Sequence, residues 1–452
     1  MHNACVWYAR LASVRSAGYD AGTPLPPSWH GHCRPARGLP CTHSQEFFVS
    51  SLVDLGKRYW LPVYKPRELV LDHGKGARVW DTERRDYIDF GAGIAVNALG
   101  HQDPDLLDAL TTQAGKLWHS SNVFYTEPPL HLAQELVEAS GFAERVFLCN
   151  SGAEANEAAI KLVRKWAAAQ GRSPEQRVII TFRGSFHGRT LATVTATAQP
   201  KYQEGYEPLP GGFRYLDFND ASALEKAFAA GDVAAVMLEP VQGEGGVLPA
   251  APGYLKRVRE LCDIHGALLV LDEIQCGMGR TGTLFAHTQD EVKPDIVTLA
   301  KALGCGFPIG AMLAGSKVAQ IMQFGAHGTT FGGNPMAAAV ARVALRKLSS
   351  HELLKNVEHQ SGKLRDALAS LSAELGVFSE VRGRGLMLGG VLSEAYRGKA
   401  GELLDFAAAH GLLLLQAGPD VLRFVPPLNI TDEELAEGLA RLRAALSAFV
   451  AR

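Results

Sequence analysis

Two residues that could do chemistry each follow a short apolar run. Asp272 comes straight after Ala267-Leu268-Leu269-Val270-Leu271, and Lys301 comes two positions after Ile296-Val297-Thr298-Leu299. A carboxylate and an amine at one edge of a sheet would supply an acid, a base and a nucleophile that condenses with a carbonyl. A lysine drawn into an apolar site is costly unless it is paired or used covalently. The plain reading of each residue alone is a salt bridge at a sheet edge. Three further apolar runs end the same way. Phe182 is followed by Arg183-Gly184-Ser185-Phe186-His187-Gly188-Arg189-Thr190, which puts an aromatic ring, an imidazole and a guanidinium on one loop. Leu238 is followed by Glu239-Pro240-Val241-Gln242-Gly243-Glu244-Gly245-Gly246. Leu148 is followed by Cys149-Asn150-Ser151-Gly152-Ala153-Glu154, where small residues open a helix and leave N–H groups free for an anion. Taken alone, that last motif reads as a helix N-cap by Ser151. Five polar clusters at successive strand ends are harder to call accidental.

An Asp, a Lys, a phosphate cradle and a stacking ring together are what pyridoxal 5'-phosphate requires. The amine takes the cofactor's aldehyde, and the carboxylate keeps the pyridine nitrogen protonated. Competing motifs fail on their own terms. Gly383-Arg384-Gly385-Leu386-Met387-Leu388 has Leu where a dinucleotide loop needs its last Gly. Gly310 to Lys317 has Gly-Ser-Lys where a P-loop needs Gly-Lys-Ser/Thr. The chain contains no His-Glu-x-x-His and no Gly-x-Ser-x-Gly.

The elements that must position these residues read as an α/β fold. Arg145–Cys149, Arg177–Phe182, Val233–Leu238, Ala267–Leu271 and Ile296–Leu299 are near-continuously apolar. That pattern marks strands buried on both faces and predicts a mainly parallel sheet, with ligands beyond the carboxyl ends of its strands. Helical patterns lie between them, over Glu154–Ala169 and Gly253–His265. Arg78–Asp81 and Tyr87–Phe90 flank a polar turn and predict a hairpin. The block from about 340 to 452 is expected to be a smaller α/β domain, with long helices around Val381–Val391 and Leu412–Phe424.

Composition narrows the class. With 45 Lys+Arg against 47 Asp+Glu, there is no basic surplus to neutralise phosphates, which disfavours nucleic acid and anionic membranes as partners. No apolar run approaches the roughly 20 residues of a membrane span. Seven cysteines in 452 residues make no disulfide scaffold, and the odd count fits reduced thiols in the cytoplasm. Residues 1–57 differ from the rest. The first 45 hold no Lys and five Pro (Pro24, Pro26, Pro27, Pro35 and Pro40). A zinc site from His30, His32, Cys33, Cys41 and His43 matches no standard ligand spacing. A transit peptide would use Arg10, Arg15, Arg34 and Arg37. The preferred reading is a disordered or extended tail.

From about residue 58 to the C-terminus the chain resembles the class III (ω-amino acid) pyridoxal-phosphate aminotransferases, nearest to their acetylornithine and succinylornithine branch. The resemblance rests on Asn150-Ser151-Gly152-Ala153-Glu154-Ala155-Asn156, Phe186-His187-Gly188-Arg189-Thr190, Glu239 to Glu244, Asp272-Glu273-Ile274-Gln275, Ala300-Lys301-Ala302-Leu303-Gly304 and Thr330-Phe331-Gly332-Gly333-Asn334-Pro335, all in order. It implies fold type I, with a large cofactor-binding domain over 96–335 and a small domain from 58–95 and 336–452. It implies that Lys301 takes the cofactor and shuttles the proton, that Asp272 pairs with the ring nitrogen, and that Gln275 reaches the ring's phenolic oxygen. Gly152 and Ala153 would bind the phosphate, and Phe186 would stack on the ring. Thr330 would bind the cofactor phosphate of a neighbouring subunit, making a homodimer obligatory, with Thr329 at the substrate. Arg189 would hold the α-carboxylate of an acylated ornithine, and Arg423 that of 2-oxoglutarate or glutamate. Glu244 would neutralise Arg423 while the ω-amine reacts. The implied reaction moves the δ-amino group of acetylornithine to 2-oxoglutarate, in arginine synthesis. The alternatives are the succinylornithine reaction of arginine breakdown, ornithine or 4-aminobutyrate transamination, and, from other classes, a pyridoxal-phosphate racemase or aminomutase or a silent scaffold. Lys301 with Asp272 argues against silence. Cys276, where Thr is also common, and Cys305, where Gly is expected, depart from the family pattern. A thiol in the loop after Lys301 would raise sensitivity to alkylation or oxidation.

Overall fold

The computed structural model describes residues 51–452, so the tail readings, including the Cys/His cluster of residues 30–43, lie outside the described residues. The described residues divide into two units, the first ending at Tyr64 and the second spanning Lys65–Arg452. The described part of the first holds one helix, Leu52–Tyr59, closed by a capping box between Ser51 and Asp54.

In the second unit, β1 (Leu71–Lys75), β2 (Arg78–Asp81) and β3 (Asp86–Asp89) form an antiparallel meander that contains the expected hairpin. Then come β4 (Ala143–Cys149), β5 (Val178–Phe182), β6 (Phe213–Leu216) and β7 (Val233–Leu238). A ribbon of β8 (Val241–Gln242) and β9 (Leu248–Pro249) precedes β10 (Leu268–Asp272), β11 (Ile296–Leu299) and β12 (Gly310–Gly315). The last strands are β13 (Phe378–Arg384), β14 (Met387–Leu392), β15 (Leu412–Leu413), β16 (Leu415–Gln416) and β17 (Val421–Phe424).

The central sheet runs β4-β12-β11-β10-β7-β5-β6. Four of its pairings are parallel, and β12 pairs antiparallel with both neighbours. Six strands therefore share one direction, and β12 alone is reversed. The carboxyl ends of β4, β5, β7, β10 and β11 consequently meet at one edge, where the five polar clusters sit. Every residue of β7, β10, β11 and β12 is buried. Both sheet faces are covered, as the unbroken apolar runs predict. The sequence reading passes over β6, on the sheet's outer edge, and the reversed β12.

The expectation of long helices over Val381–Val391 and Leu412–Phe424 is wrong. Both stretches are strands, in the sheet β13-β14-β17-β16, while β15 joins β1-β2-β3. Glycines decide the matter. Gly383 and Gly385 take φ of 123° and 54°, which turns the chain tightly between β13 and β14. Gly389-Gly390 within β14 is poor helix sequence, and a Cβ on Gly390 would lie 2.7 Å from the Phe378 ring. The long helices of this block are Pro335–Leu348, His351–Leu375 and Asp432–Val450 instead. Among the described residues, no helix is long and apolar enough to cross a membrane.

Candidate active site

Asp272 ends β10 and is buried. Its neighbour across the ladder is Thr298 of β11, and Lys301 lies three residues further along that same chain. The carboxylate is held from three elements. Its Oδ2 accepts from Asn156 Nδ2 at 2.7 Å and from His187 Nδ1 at 2.8 Å, and its Oδ1 accepts from the Ile274 N–H at 3.1 Å. Asn156 is itself fixed, because Thr298 Oγ1 donates to its Oδ1 at 2.8 Å and its Nδ2 also reaches the His187 carbonyl. An ionised carboxylate accepts about four hydrogen bonds, and the three found here leave capacity for one more donor. A protonated pyridine nitrogen is such a donor. His187 is wholly buried, and among the described residues its Nε2 has no partner.

Lys301 takes φ of 47°, in the left-handed region. That conformation costs a non-glycine residue on the order of 1–3 kcal/mol and is tolerated where the surroundings over-determine it, as they do at functional sites. Burial, and after it the Arg423 charge, lower the Lys301 amine below the ordinary lysine value, against the opposing pull of Glu244, Asp272 and Glu239. A lysine so placed offers a neutral, nucleophilic Nζ at lower pH than an exposed one.

The segment expected to cradle a phosphate is a helix start. The helix Gly152–Ala169 begins directly behind β4, and Ser151 Oγ accepts from the Glu154 N–H at 3.2 Å. The Ala155 N–H reaches the Ser151 carbonyl, which leaves the Gly152 and Ala153 N–H groups without a protein acceptor among the described residues. The N-cap by Ser151 is thus present, and it leaves these two donors free for an anion. A Cβ at Gly152 would meet the end of the Ile274 side chain at 2.7 Å, so any larger residue would have to push Ile274 aside.

Phe186 is half-buried, and its N–H donates to Glu239 Oε1 at 2.9 Å. The other carboxylate oxygen of Glu239 accepts from the Gly243 N–H. Burial pushes Glu239 up to about 7. The native protein therefore keeps this proton between about pH 4.5 and pH 7, where the unfolded chain has released it. Stability from this group falls as pH rises through that window and is level above it. Glu239→Gln should remove the slope, so the urea midpoint of the variant should gain on wild type between pH 5 and pH 8. Parallel midpoints at the two pH values would contradict the assignment.

Arg423 lies in β17, opposite Gly389 of β14, and is buried. Its Nη1 donates to Glu244 Oε1 and, at 3.0 Å, to Gln275 Oε1, and its Nε has no partner among the described residues. Burial raises the Glu244 carboxyl, but the Arg423 charge and hydrogen bond outweigh it and hold Glu244 below the ordinary carboxylate value. The pair is therefore ionic at neutral pH. Gln275 is thus tied into the pair, its oxygen accepting from Arg423 and its side chain hydrogen-bonded to Glu244. Arg189 is exposed, its guanidinium 4.0 Å from the Tyr202 ring and 5.5 Å from Phe186. Thr329 is placed at the cradle, its hydroxyl accepting from Asn150 Nδ2 at 3.1 Å. Thr330 is exposed. Cys305 takes φ of 44°, which accounts for glycine being the expected residue there. Its thiol is pushed up to about 12 by burial, and Cys276 is also raised well above the ordinary value. Both environments disfavour the thiolate, Cys276 being buried and Cys305 partly so, as suits small packing residues.

The sequence reading assigns no role to Asn156, His187, Thr298 or Glu239. Asn156 has a signal: it is a poor helix former on a helix face otherwise made of Ala155, Ala158, Ala159 and Ile160.

The family model for aminotransferase class-III matches residues 62–446. The chain is a class-III aminotransferase. It is 74% identical over 394 residues to the acetylornithine aminotransferase of Xanthomonas campestris pv. campestris, covering 87% of this chain and 97% of that one. The crystal structure of N-acetylornithine aminotransferase from Stenotrophomonas maltophilia K279a is 67% identical, with a TM-score of 0.79 over 88% of this chain and all of that one. The ornithine aminotransferase of Toxoplasma gondii is 36% identical, with a TM-score of 0.84 over 88% and 94%. As a class-III aminotransferase the enzyme is a transaminase that uses pyridoxal 5'-phosphate. The residues present fit that cofactor. A buried carboxylate keeps spare acceptor capacity, a lysine of lowered basicity follows the next strand, and two N–H groups lie open at a helix start.

Proposed function

We propose that this class-III aminotransferase moves the δ-amino group of N2-acetyl-L-ornithine to 2-oxoglutarate, as a cytoplasmic step of arginine synthesis. The observation that carries the reading is the Glu244–Arg423 ion pair. One site must take an amine far from a carboxylate in one half-reaction and an amine beside a carboxylate in the other. A guanidinium that is paired with Glu244 in the first case and released in the second serves both. Arg189 then takes the α-carboxylate of the acylated donor, and Arg423 that of 2-oxoglutarate. When bound, pyridoxal phosphate supplies an electron sink for the substrate carbon. Gly152 and Ala153 hold its phosphate, Phe186 covers its ring, Gln275 faces its ring oxygen, and Asp272 keeps its nitrogen protonated. Asn156, His187 and Thr298 fix Asp272. Lys301 Nζ carries the proton from one carbon to the other. Identity to the curated acetylornithine aminotransferases supports the choice of acyl group. The test is kcat/KM for acetyl-, succinyl- and free ornithine, each with 2-oxoglutarate as acceptor. Acetylornithine should lead, and a lead for free ornithine would overturn the reading.

A homodimer belongs to the same proposal. Val123 is 82% and Tyr125 90% exposed, beside the exposed rings of Trp118, Phe124 and Phe331. Apolar patches of this kind mark interaction surfaces. Asn122 ties the patch to the loop that carries Thr330, through the Thr329 and Gly332 carbonyls. This supports Thr330 serving the second copy's cofactor. Val123→Asp with Tyr125→Asp should give a monomer in sedimentation that binds pyridoxal phosphate at least about tenfold more weakly, through loss of a phosphate contact. A monomer with undiminished cofactor affinity would contradict the shared site.

A further inference from the structure

We infer that Tyr202 is the positioning residue for Arg189, holding the guanidinium by its face so that its N–H edge stays open for the donor's carboxylate. The inference rests on the reading of Arg189 as that anchor. Among the described residues, Arg189 makes no hydrogen bond and no ion pair. Its contacts of this kind are the Tyr202 ring at 4.0 Å and the Phe186 ring at 5.5 Å. An arginine has two separate means of attachment. The planar face is drawn to an aromatic ring, and the five N–H groups of the edge bind a carboxylate in a fork. A carboxylate partner within the protein would compete with substrate for the edge. A ring does not, yet it limits the swing of a long, exposed side chain.

Tyr202 is mounted as such a platform would need to be. Its own ring meets Phe186 edge-on, with centroids 6.0 Å apart and planes at 84°. Lys201 places Nζ 4.6 Å from the same ring and adds positive potential beside the anchor. The short helix Pro200–Gln203 is fastened on both sides. Gln203 Nε2 reaches the carbonyls of Val194, Thr195 and Thr197 at 3.2, 3.1 and 2.9 Å, behind the helix that follows Arg189. Gln199 Nε2 reaches the Ser185 carbonyl at 2.8 Å, next to Phe186. Tyr202 thus links the donor's carboxylate anchor to the ring expected to cover the cofactor. None of the motifs that carry the family resemblance includes it.

The test uses the holoenzyme and steady-state kinetics, with acetylornithine as donor and 2-oxoglutarate as acceptor. Tyr202→Leu should raise the donor KM about three- to tenfold, the span expected for losing a cation–π contact. It should leave kcat and the acceptor KM unchanged. Tyr202→Phe, which keeps the ring, should restore the donor KM. In an Arg189→Ala background, Tyr202→Leu should add nothing. Equal loss in both KM values and kcat would make Tyr202 merely structural and overturn the inference. So would an unchanged donor KM in Tyr202→Leu when Arg189→Ala does raise it. An Arg189→Ala enzyme with the donor KM of wild type would instead overturn the reading of Arg189 itself. If Tyr202→Leu lowers the melting temperature sharply, Tyr202→Trp decides, because it enlarges the ring and must keep the donor KM.

Discussion

Lys301→Ala is expected to abolish transamination, by on the order of 10⁴-fold or more, because one Nζ serves as nucleophile and as proton carrier. Both half-reactions should be lost together, since the proton moves in each. The fold and the sedimentation of the protein should stay as they are: Lys301 spends conformational energy in a left-handed backbone, and among the described residues no ion pair of its side chain holds the site together. Borohydride treatment of the wild-type holoenzyme followed by peptide mapping should find the pyridoxyl group on Lys301. A different modified lysine would remove the assignment.

How the site can be read in advance follows from where each residue sits. Asp272 and Lys301 stand out because each breaks an apolar run, and strands buried on both faces leave few other polar residues beside them. The cradle at Gly152 stands out because a helix start has free N–H groups whatever surrounds it. Asn156, His187 and Thr298 are illegible as a set. Their shared role exists only where a helix, a loop and a strand converge on the Asp272 carboxylate, and no spacing in the chain marks that meeting. Arg423 is more remote still. It comes from a different sheet, whose strands read as helices in the sequence, and only the family resemblance singles it out. The Gly-rich turn and the Gly389-Gly390 pair are the local signs of strand that apolar content conceals. Cys305 stands out as a departure, but the surroundings that raise its thiol are not given by sequence.

The Glu244–Arg423 pair should be the most consequential contact for substrate choice. Glu244→Ala leaves a buried guanidinium with only the Gln275 oxygen, its Nε already unpaired. An unpaired cation there should draw any α-carboxylate and admit substrates by their Cα end. Acetylornithine gains nothing, because its α-amine is blocked. Free ornithine and glutamate gain, so the ratio of α- to ω-transamination should rise about tenfold or more if the lost pairing is worth about 1.4 kcal/mol. An unchanged ratio would mean that Glu244 does not shield Arg423.

The most direct measurement is single-turnover absorbance of the Arg423→Lys holoenzyme, taken separately with acetylornithine and with 2-oxoglutarate. Lysine keeps the charge and lacks the fork. The 2-oxoglutarate half-reaction should weaken by on the order of tenfold in apparent affinity, while the acetylornithine half-reaction proceeds as in wild type. Equal slowing of both would make Arg423 a structural residue and contradict its role as the α-carboxylate anchor.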